Sequence, residues 1–243
     1  LMSGTSMDGI DCSLLRTNGL TFKRIKKNLL HSYKNETLLL INKVIKEPYE
    51  NIKLEDKLFL EQCITEDHAI AVSEFKKKYN SEVNLIGFHG QTIFHNPKNY
   101  VSIQIGNGQI LANLTKTKVI SNFRENDLLH KGQGAPLAPV YHKAIMQQEN
   151  LTLPACFINI GGVCNLTWWD GQEILAFDSG PGNGLIDIYM QKKLNLKYDY
   201  EGEKAFRGRV NKNVKYKFFK NNFFSLTPPK SLDRNEFIKT LEE

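Results

Sequence analysis

Cys156-Phe157-Ile158-Asn159-Ile160-Gly161-Gly162-Val163-Cys164-Asn165-Leu166-Thr167-Trp168-Trp169-Asp170-Gly171 reads as two strands joined by a tight Gly-Gly turn and closed by an Asp-Gly hairpin signal. Glu173 to Phe177 supplies a third strand. The same order opens the chain. A Gly-rich turn around Ser3-Gly4-Thr5 precedes a strand from Ile10 to Leu15, an Asn18-Gly19 turn and a strand from Leu20 to Ile25. Gly4 and Gly161 stand 157 residues apart. Two copies of one strand–Gly turn–strand–hairpin–strand unit predict an α/β protein of two like domains facing each other, with ligands held in the cleft. The boundary is expected between Pro136 and Pro154, dividing the chain into 1–140 and 141–243.

Helical spacing appears in Leu38, Ile41 and Ile45, and again from Leu54 to Tyr79 through Leu58, Ile64, Ala71, Val72 and Phe75, which predicts a long amphipathic helix or a pair. Further strands are expected at Val83–Phe88, Val101–Ile105 and Val119–Ser121, and a helix from Leu137 to Gln148 opened by Pro136. With 41% apolar and 24% charged residues among 243, disorder, collagen and coiled coil are excluded. The longest aliphatic run, Leu38 to Ile41, is far short of the ~20 residues of a membrane span, and no signal-peptide pattern opens the chain. The chain starts inside a Gly-rich turn with no leading strand and stops inside a helical pattern, which predicts a fragment with its second domain incomplete.

The net charge of +6 is concentrated at one end: from Lys204 to Glu243 there are ten basic and four acidic residues, and the rest is neutral. Lys212, Lys215, Lys217 and Lys220, interleaved with Tyr216, Phe218 and Phe219, read either as a nucleic-acid patch or as an amphipathic segment with buried Phe and solvated Lys. The second is preferred, because no RNA-binding aromatic motif or basic recognition helix accompanies them. Cys12, Cys63, Cys156 and Cys164 show no metal-ligand spacing and are expected to be buried free thiols.

Five places along the chain carry chemistry. Ser3-Gly4-Thr5-Ser6-Met7-Asp8-Gly9-Ile10-Asp11 places two Gly, three hydroxyls and two carboxylates in one turn, where backbone amides with Thr5 and Ser6 can cradle a phosphate and Asp8 or Asp11 can hold Mg²⁺ through water. It is not a Walker A loop; the alternative is an ordinary polar hairpin. Gly87-Phe-His-Gly-Gln-Thr92 sets His89 and Gln91 at a strand edge, either as ligand contacts or as structural residues. Arg124 reads as an anion clamp or as half of a surface salt bridge. Asn159-Ile-Gly-Gly-Val-Cys-Asn165 repeats the phosphate-turn logic at Gly161 and Gly162. Asp178, ending a strand before Gly180-Pro-Gly-Asn183, reads as a general base made more basic by burial or as a turn-capping carboxylate. The turn itself is expected to present amides and a helix N-terminus to an anion.

Taken together these residues resemble the anhydro-N-acetylmuramic acid kinase family. The blocks are LMSGTSMDGID (1–11), GFHGQTIFHNP (87–97), QIGNGQILA (104–112), FREND (123–127), GQGAPLAP (132–139), NIGGVCNLT (159–167), FDSGPGNGLID (177–187) and PPKSLDRNEF (228–237). The resemblance implies two ribonuclease-H-like domains of the actin/Hsp70/sugar-kinase type around an ATP cleft, and a cytoplasmic homodimer, free of membrane and nucleic acid, that recycles cell-wall sugars. It places the phosphates of ATP, with Mg²⁺, on Gly4, Thr5, Ser6, Met7, Asp8, Gly9, Ile10 and Asp11 and on Gly161 and Gly162. It gives Asp8 to the metal through water, and His89, Gln91 and Arg124 to the sugar. Asp178 becomes the base for a water that opens 1,6-anhydro-N-acetylmuramate, whose O6 then takes the γ-phosphoryl group. Asn122 stands where Asp is usual, Lys131 where Gly is usual, Ser179 for Thr, and SLDRNEF departs from the commoner form. Family members are longer, with an adenosine-binding Gly loop and a second carboxylate expected further on. The alternatives are a sugar kinase of altered substrate and a catalytically incomplete fragment or muropeptide-binding module of the same fold.

Overall fold

The computed structural model describes residues 1–4, 7, 9–96, 99–232 and 237. Strand formation begins at once: β1 (Met2–Ser3) lies where the sequence suggested only a turn, and pairs antiparallel with β2 (Ile10–Thr17). Asn18-Gly19 returns the chain into β3 (Phe22–His31), with the Asn18 side-chain oxygen accepting from the Leu20 and Thr21 amides at 3.0 and 2.8 Å. Alternation along β2 sends Ile10 and Cys12 inward and Asp11 and Ser13 outward.

Two helices cover the inner face, α1 (Asn35–Ile45) and the 26-residue α2 (Leu54–Tyr79). Leu60, Ile64, Ala71 and Phe75 of α2 pack with Ile10, Ile41 and Ile105, each of the larger aliphatic side chains contributing roughly 1.5–3 kcal/mol by burial. The chain then forms β4 (Leu85–Gly87), β5 (Gln91–Asn96), β6 (Val101–Ile105), α3 (Gly108–Thr115), β7 (Lys118–Ile120) and α4 (Glu125–Leu129). The main sheet has the order β3-β2-β1-β5-β6, with β1 parallel to β5, and β4 pairs in parallel with β7. Leu1 connects the two: its nitrogen donates to the Gly87 carbonyl at 2.8 Å, and its carbonyl accepts from His89 N at 3.4 Å. β5 was hidden from pattern reading because its first residues, Gln91 and Thr92, are polar yet buried. α3 was hidden because Asn107-Gly108 reads as a turn; Asn107 is its N-cap, accepting from the Gln109 and Ile110 amides.

A second compact unit begins at Pro136. α5 (Ala138–Gln148) carries Pro139 in its first turn, three residues beyond Pro136, the proline expected to open it. β8 (Ala155–Ile160), β9 (Val163–Trp169) and β10 (Ile174–Pro181) form an antiparallel meander, followed by α6 (Gly184–Leu194), α7 (Glu203–Arg207) and α8 (Lys212–Phe219). In each unit a three-stranded meander, with glycines between its first two strands, leads into a helix; in the second unit α5 precedes it. In the basic segment Lys212, Lys215 and Lys217 are exposed, while Phe218 joins Phe223, Phe224 and Phe237 in an aromatic cluster with ring centroids 5.3–6.0 Å apart. Phe219 remains exposed. All four cysteines are free, but only Cys12 is buried, which pushes its thiol up to about 11; Cys156 is exposed, on the solvent-facing side of β8. No helix among the described residues is long and apolar enough to cross a membrane.

His68 is fully buried on the core face of α2, its Nδ1–H donating to the Ile64 carbonyl at 2.7 Å and its ring packed edge-on against Tyr33 and Phe88. Among the described residues Nε2 has no hydrogen-bond partner, and burial lowers the imidazole pKa from 6.5 to about 4. The unfolded chain therefore binds the extra proton first as pH falls. The associated stability is complete above pH 6.5 and is lost as pH drops from there toward 4. Urea melts are expected to show a wild-type loss of about 3 kcal/mol over that window that His68→Leu does not show. Identical pH dependence in the two proteins would contradict a buried neutral imidazole.

Candidate functional site

In the first unit, Met7 N donates to the Gly4 carbonyl at 3.1 Å just after β1, and Met7 has φ 56°. Gly9 follows with φ 158°, and a Cβ there would sit 2.7 Å from the His31 carbonyl. Only glycine lets the chain pass so close to β3. Ile10 is fully buried, leaving only its backbone for a ligand, and Asp11 is exposed on the other face of β2. Thr5, Ser6 and Asp8 lie outside the described residues. No group of three or more His, Cys, Asp or Glu placed to hold a metal occurs among the described residues.

Three loop and strand segments bring His89 and Arg124 together. The His89 Nδ1 faces the Gly90 carbonyl at 2.9 Å and so carries the proton; Nε2 then accepts from Arg124 Nε at 3.2 Å and Nη2 at 3.0 Å. Burial first, and the guanidinium charge after it, lower the His89 pKa against the opposing Gly90 bond, so the ring is neutral. Arg124 Nη1 reaches Ser102 Oγ at 3.4 Å, which also accepts from Gln104 Nε2 at 2.7 Å. Both of those partners can only donate, so the serine hydrogen goes to His95 Nδ1 at 3.0 Å. Burial, then Arg124, lowers the His95 pKa as well.

Arg124 is half-buried, and among the described residues its partners are a neutral imidazole and a hydroxyl, with no carboxylate in contact. A salt bridge therefore does not account for it; the positive charge is held in place without a counter-charge. Gln91, expected beside the sugar, is instead wholly buried under the turn: Nε2 donates to the Gly4 and Thr92 carbonyls, both at 3.2 Å, and Oε1 accepts from Tyr33 Oη at 3.2 Å.

In the second unit, β10 runs past the expected end of its strand. Asp178 lies within it, opposite Asn165 of β9, beside a bulge between Asp178 and Gly180. Its amide donates to the Lys230 carbonyl at 2.9 Å, and its Oδ2 accepts from Leu232 N at 2.8 Å. One oxygen is thus fixed by a backbone amide, and among the described residues the other takes no hydrogen bond. The Gly-Pro-Gly-Asn turn differs from expectation. The amides of Gly182 and Gly184 donate to the Gly162 carbonyl at 3.1 and 3.2 Å, and Asn183 N donates to the Gly161 carbonyl at 2.8 Å. These amides hold the other turn instead of facing an anion. Because the Gly161 carbonyl points at α6, the Gly162 N–H, anti to it across a planar trans peptide, points the opposite way. A cavity of about 350 Å³ adjoins the two turns, lined by Gly162, Pro181, Asp187, Gln191 and Leu232 among others.

The profile of the family described as Anhydro-N-acetylmuramic acid kinase matches residues 1–242. The chain belongs to this family. Among curated members, the anhydro-N-acetylmuramic acid kinase of Rhodopseudomonas palustris (strain BisB18) is 36% identical over 245 residues, covering 98% of this chain and 67% of the relative. That of Agrobacterium fabrum (strain C58 / ATCC 33970) is 38% identical over 250 residues, with 98% and 66% covered. The kinase of Pelagibacter ubique (strain HTCC1062) is 38% identical over 224 residues, with 88% and 59% covered. The chain therefore spans about two thirds of the length of its curated relatives, and it shares a kinase family with them. Within that frame the sequence reading quoted His95 and Gln104 in matching blocks without giving them a role and missed Ser102; these three complete the Arg124 network. Ser102 and Gln104 alternate along β6, a signal that a strand-face reading would have caught. The Lys230–Leu232 backbone, which fixes Asp178, carries no side-chain signature.

Proposed function

We propose that this protein phosphorylates 1,6-anhydro-N-acetylmuramate with ATP, opening the anhydro bridge with water to give N-acetylmuramate 6-phosphate and ADP. The observation that carries the substrate is Arg124: a half-buried guanidinium held by neutral partners suits a carboxylate, and the lactyl group of this sugar supplies one. His89 fixes the plane of that guanidinium through two N–H donors, and Ser102 holds its third edge.

Asp178 accepts the proton of the attacking water on the oxygen that Leu232 does not hold. As water adds to the anomeric carbon, the bond from that carbon to O6 breaks, and O6 takes the γ-phosphoryl group. By the family likeness Gly162 and, separately, the Gly4–Asp11 stretch would contact phosphate oxygens, and Asp8 would hold Mg²⁺ through water, which would supply charge neutralisation there. Pro181, three residues beyond Asp178 on β10, faces Val163 at the Gly-Gly turn. Three strand residues span about 10 Å, room for a sugar ring between phosphate and base. Cytoplasmic recycling of cell-wall sugars and a homodimer follow from the same family likeness.

The test is ATP-dependent phosphorylation compared on two sugars. 1,6-Anhydro-N-acetylglucosamine, which lacks the lactyl carboxylate, is expected to react with kcat/KM about 10- to 100-fold lower, the worth of one charged hydrogen-bonded contact. Arg124→Lys should raise KM for the muramate sugar by a similar factor and leave KM for ATP unchanged. Equal rates on both sugars would remove the substrate assignment, and sugar binding without turnover would favour the binding-module alternative.

A further inference from the structure

We propose that Gln91 is a positioning residue for ATP, holding the Gly4 carbonyl away from the phosphates; this rests on the Gly4–Asp11 turn being a phosphate contact. Gln91 opens β5 directly beside Ser3 in the parallel pairing of β1 and β5. It is fully buried, and its amide geometry is unambiguous: Nε2 faces two carbonyls and Oε1 faces the Tyr33 hydroxyl. Both amide hydrogens and one oxygen lone pair are thus engaged inside the protein, and no part of the side chain is open to a sugar.

The Gly4 carbonyl receives two donors, Met7 N from within the turn and Gln91 Nε2 from beneath it. The next residue back is anchored the same way, with Ser3, also buried, donating from Oγ to the Gly90 carbonyl at 3.2 Å. A carbonyl oxygen and a phosphate oxygen repel, so a turn that binds phosphate through its amides must keep its carbonyls turned inward. Gly4 has no side chain to enforce this, and glycine rotates freely about φ and ψ. Gln91, oriented by Tyr33, supplies the restraint across 87 residues of sequence.

The experiment measures affinity for the non-hydrolysable analogue AMP-PNP by calorimetry, and separately KM for the sugar, on the full chain with Mg²⁺. Gln91→Leu is expected to weaken AMP-PNP binding about ten-fold, the weight of one buried hydrogen bond, and to keep KM for the sugar within about two-fold. Gln91→Glu should weaken it further, because a carboxylate would face two carbonyls. Tyr33→Phe, which leaves the packing intact, should shift AMP-PNP affinity in the same direction by a smaller factor. A rise in sugar KM with unchanged AMP-PNP affinity would make Gln91 a sugar contact and overturn the proposal. So would unchanged AMP-PNP affinity in folded Gln91→Leu and Tyr33→Phe. If the wild type binds AMP-PNP but leaves the sugar untouched, the kinase reading fails while the Gln91 effect on nucleotide is still read. If the wild type does not bind AMP-PNP, the phosphate turn and the proposal fall together.

Discussion

Asp178→Asn is expected to lower kcat by about 10²- to 10⁴-fold with little change in folding stability. General-base catalysis is worth on the order of 10²–10⁴, and no other carboxylate among the described residues shares this position on β10. The substitution is nearly isosteric. The amide oxygen can still accept from Leu232 N, so the loop at Lys230–Leu232 stays tethered and the strand register between Asp178 and Asn165 is kept. Affinity for AMP-PNP, which does not depend on proton transfer, should be unchanged. Single-turnover phosphorylation with excess enzyme separates the chemical step from product release. Wild-type turnover by the Asn variant would leave the carboxylate with the structural role alone, that of a tether for the loop.

Gly182→Ala is expected to be the most damaging change to the second unit. A Cβ at Gly182 would lie 2.2 Å from the Gly161 carbonyl oxygen and 3.1 Å from its carbon, both backbone atoms that no rotamer change can move. The turn at Gly161–Gly162 would have to retreat, breaking the bonds from Gly182, Asn183 and Gly184 that hold it against the start of α6. Overpacking of this kind costs about 1–3 kcal/mol, and loss of the linked hydrogen bonds adds to it. The midpoint of thermal unfolding should fall by several degrees or more. Because the same movement turns the Gly162 N–H, affinity for AMP-PNP should fall in the fraction that remains folded. A variant with wild-type stability and wild-type nucleotide affinity would show that the two turns do not depend on each other.

These two residues also show where sequence reading stopped. Asp178 was recognisable as a candidate, but a base and a turn-capping carboxylate have the same letter and the same neighbours. Its backbone partner 54 residues away, Leu232, lies in a stretch whose sequence departs from the usual form. Gly180-Pro-Gly-Asn183 was recognisable as a special turn, yet its purpose was misassigned. Amides at a helix start read as an anion site, whereas here they bind the carbonyls of another turn 20 residues back. Arg124 stood open between clamp and salt bridge until its partners proved to be neutral.

The local and repetitive features were determined by the sequence alone. Asn18-Gly19 closed the first hairpin, 3.6-residue spacing marked helix through Leu54–Tyr79, and the recurrence at Ala155 announced a second meander. Each of these depends on residues within a few positions of one another, so their physics is written in order along the chain. Only the tertiary structure decided what Gln91 does, that β5 is a strand, and that His89, Ser102 and Arg124 form one network. Those outcomes rest on polar groups buried against partners 20 to 90 residues distant. Burial makes such groups find a hydrogen bond somewhere, but the choice of partner belongs to the packed fold, not to the pattern of letters around them.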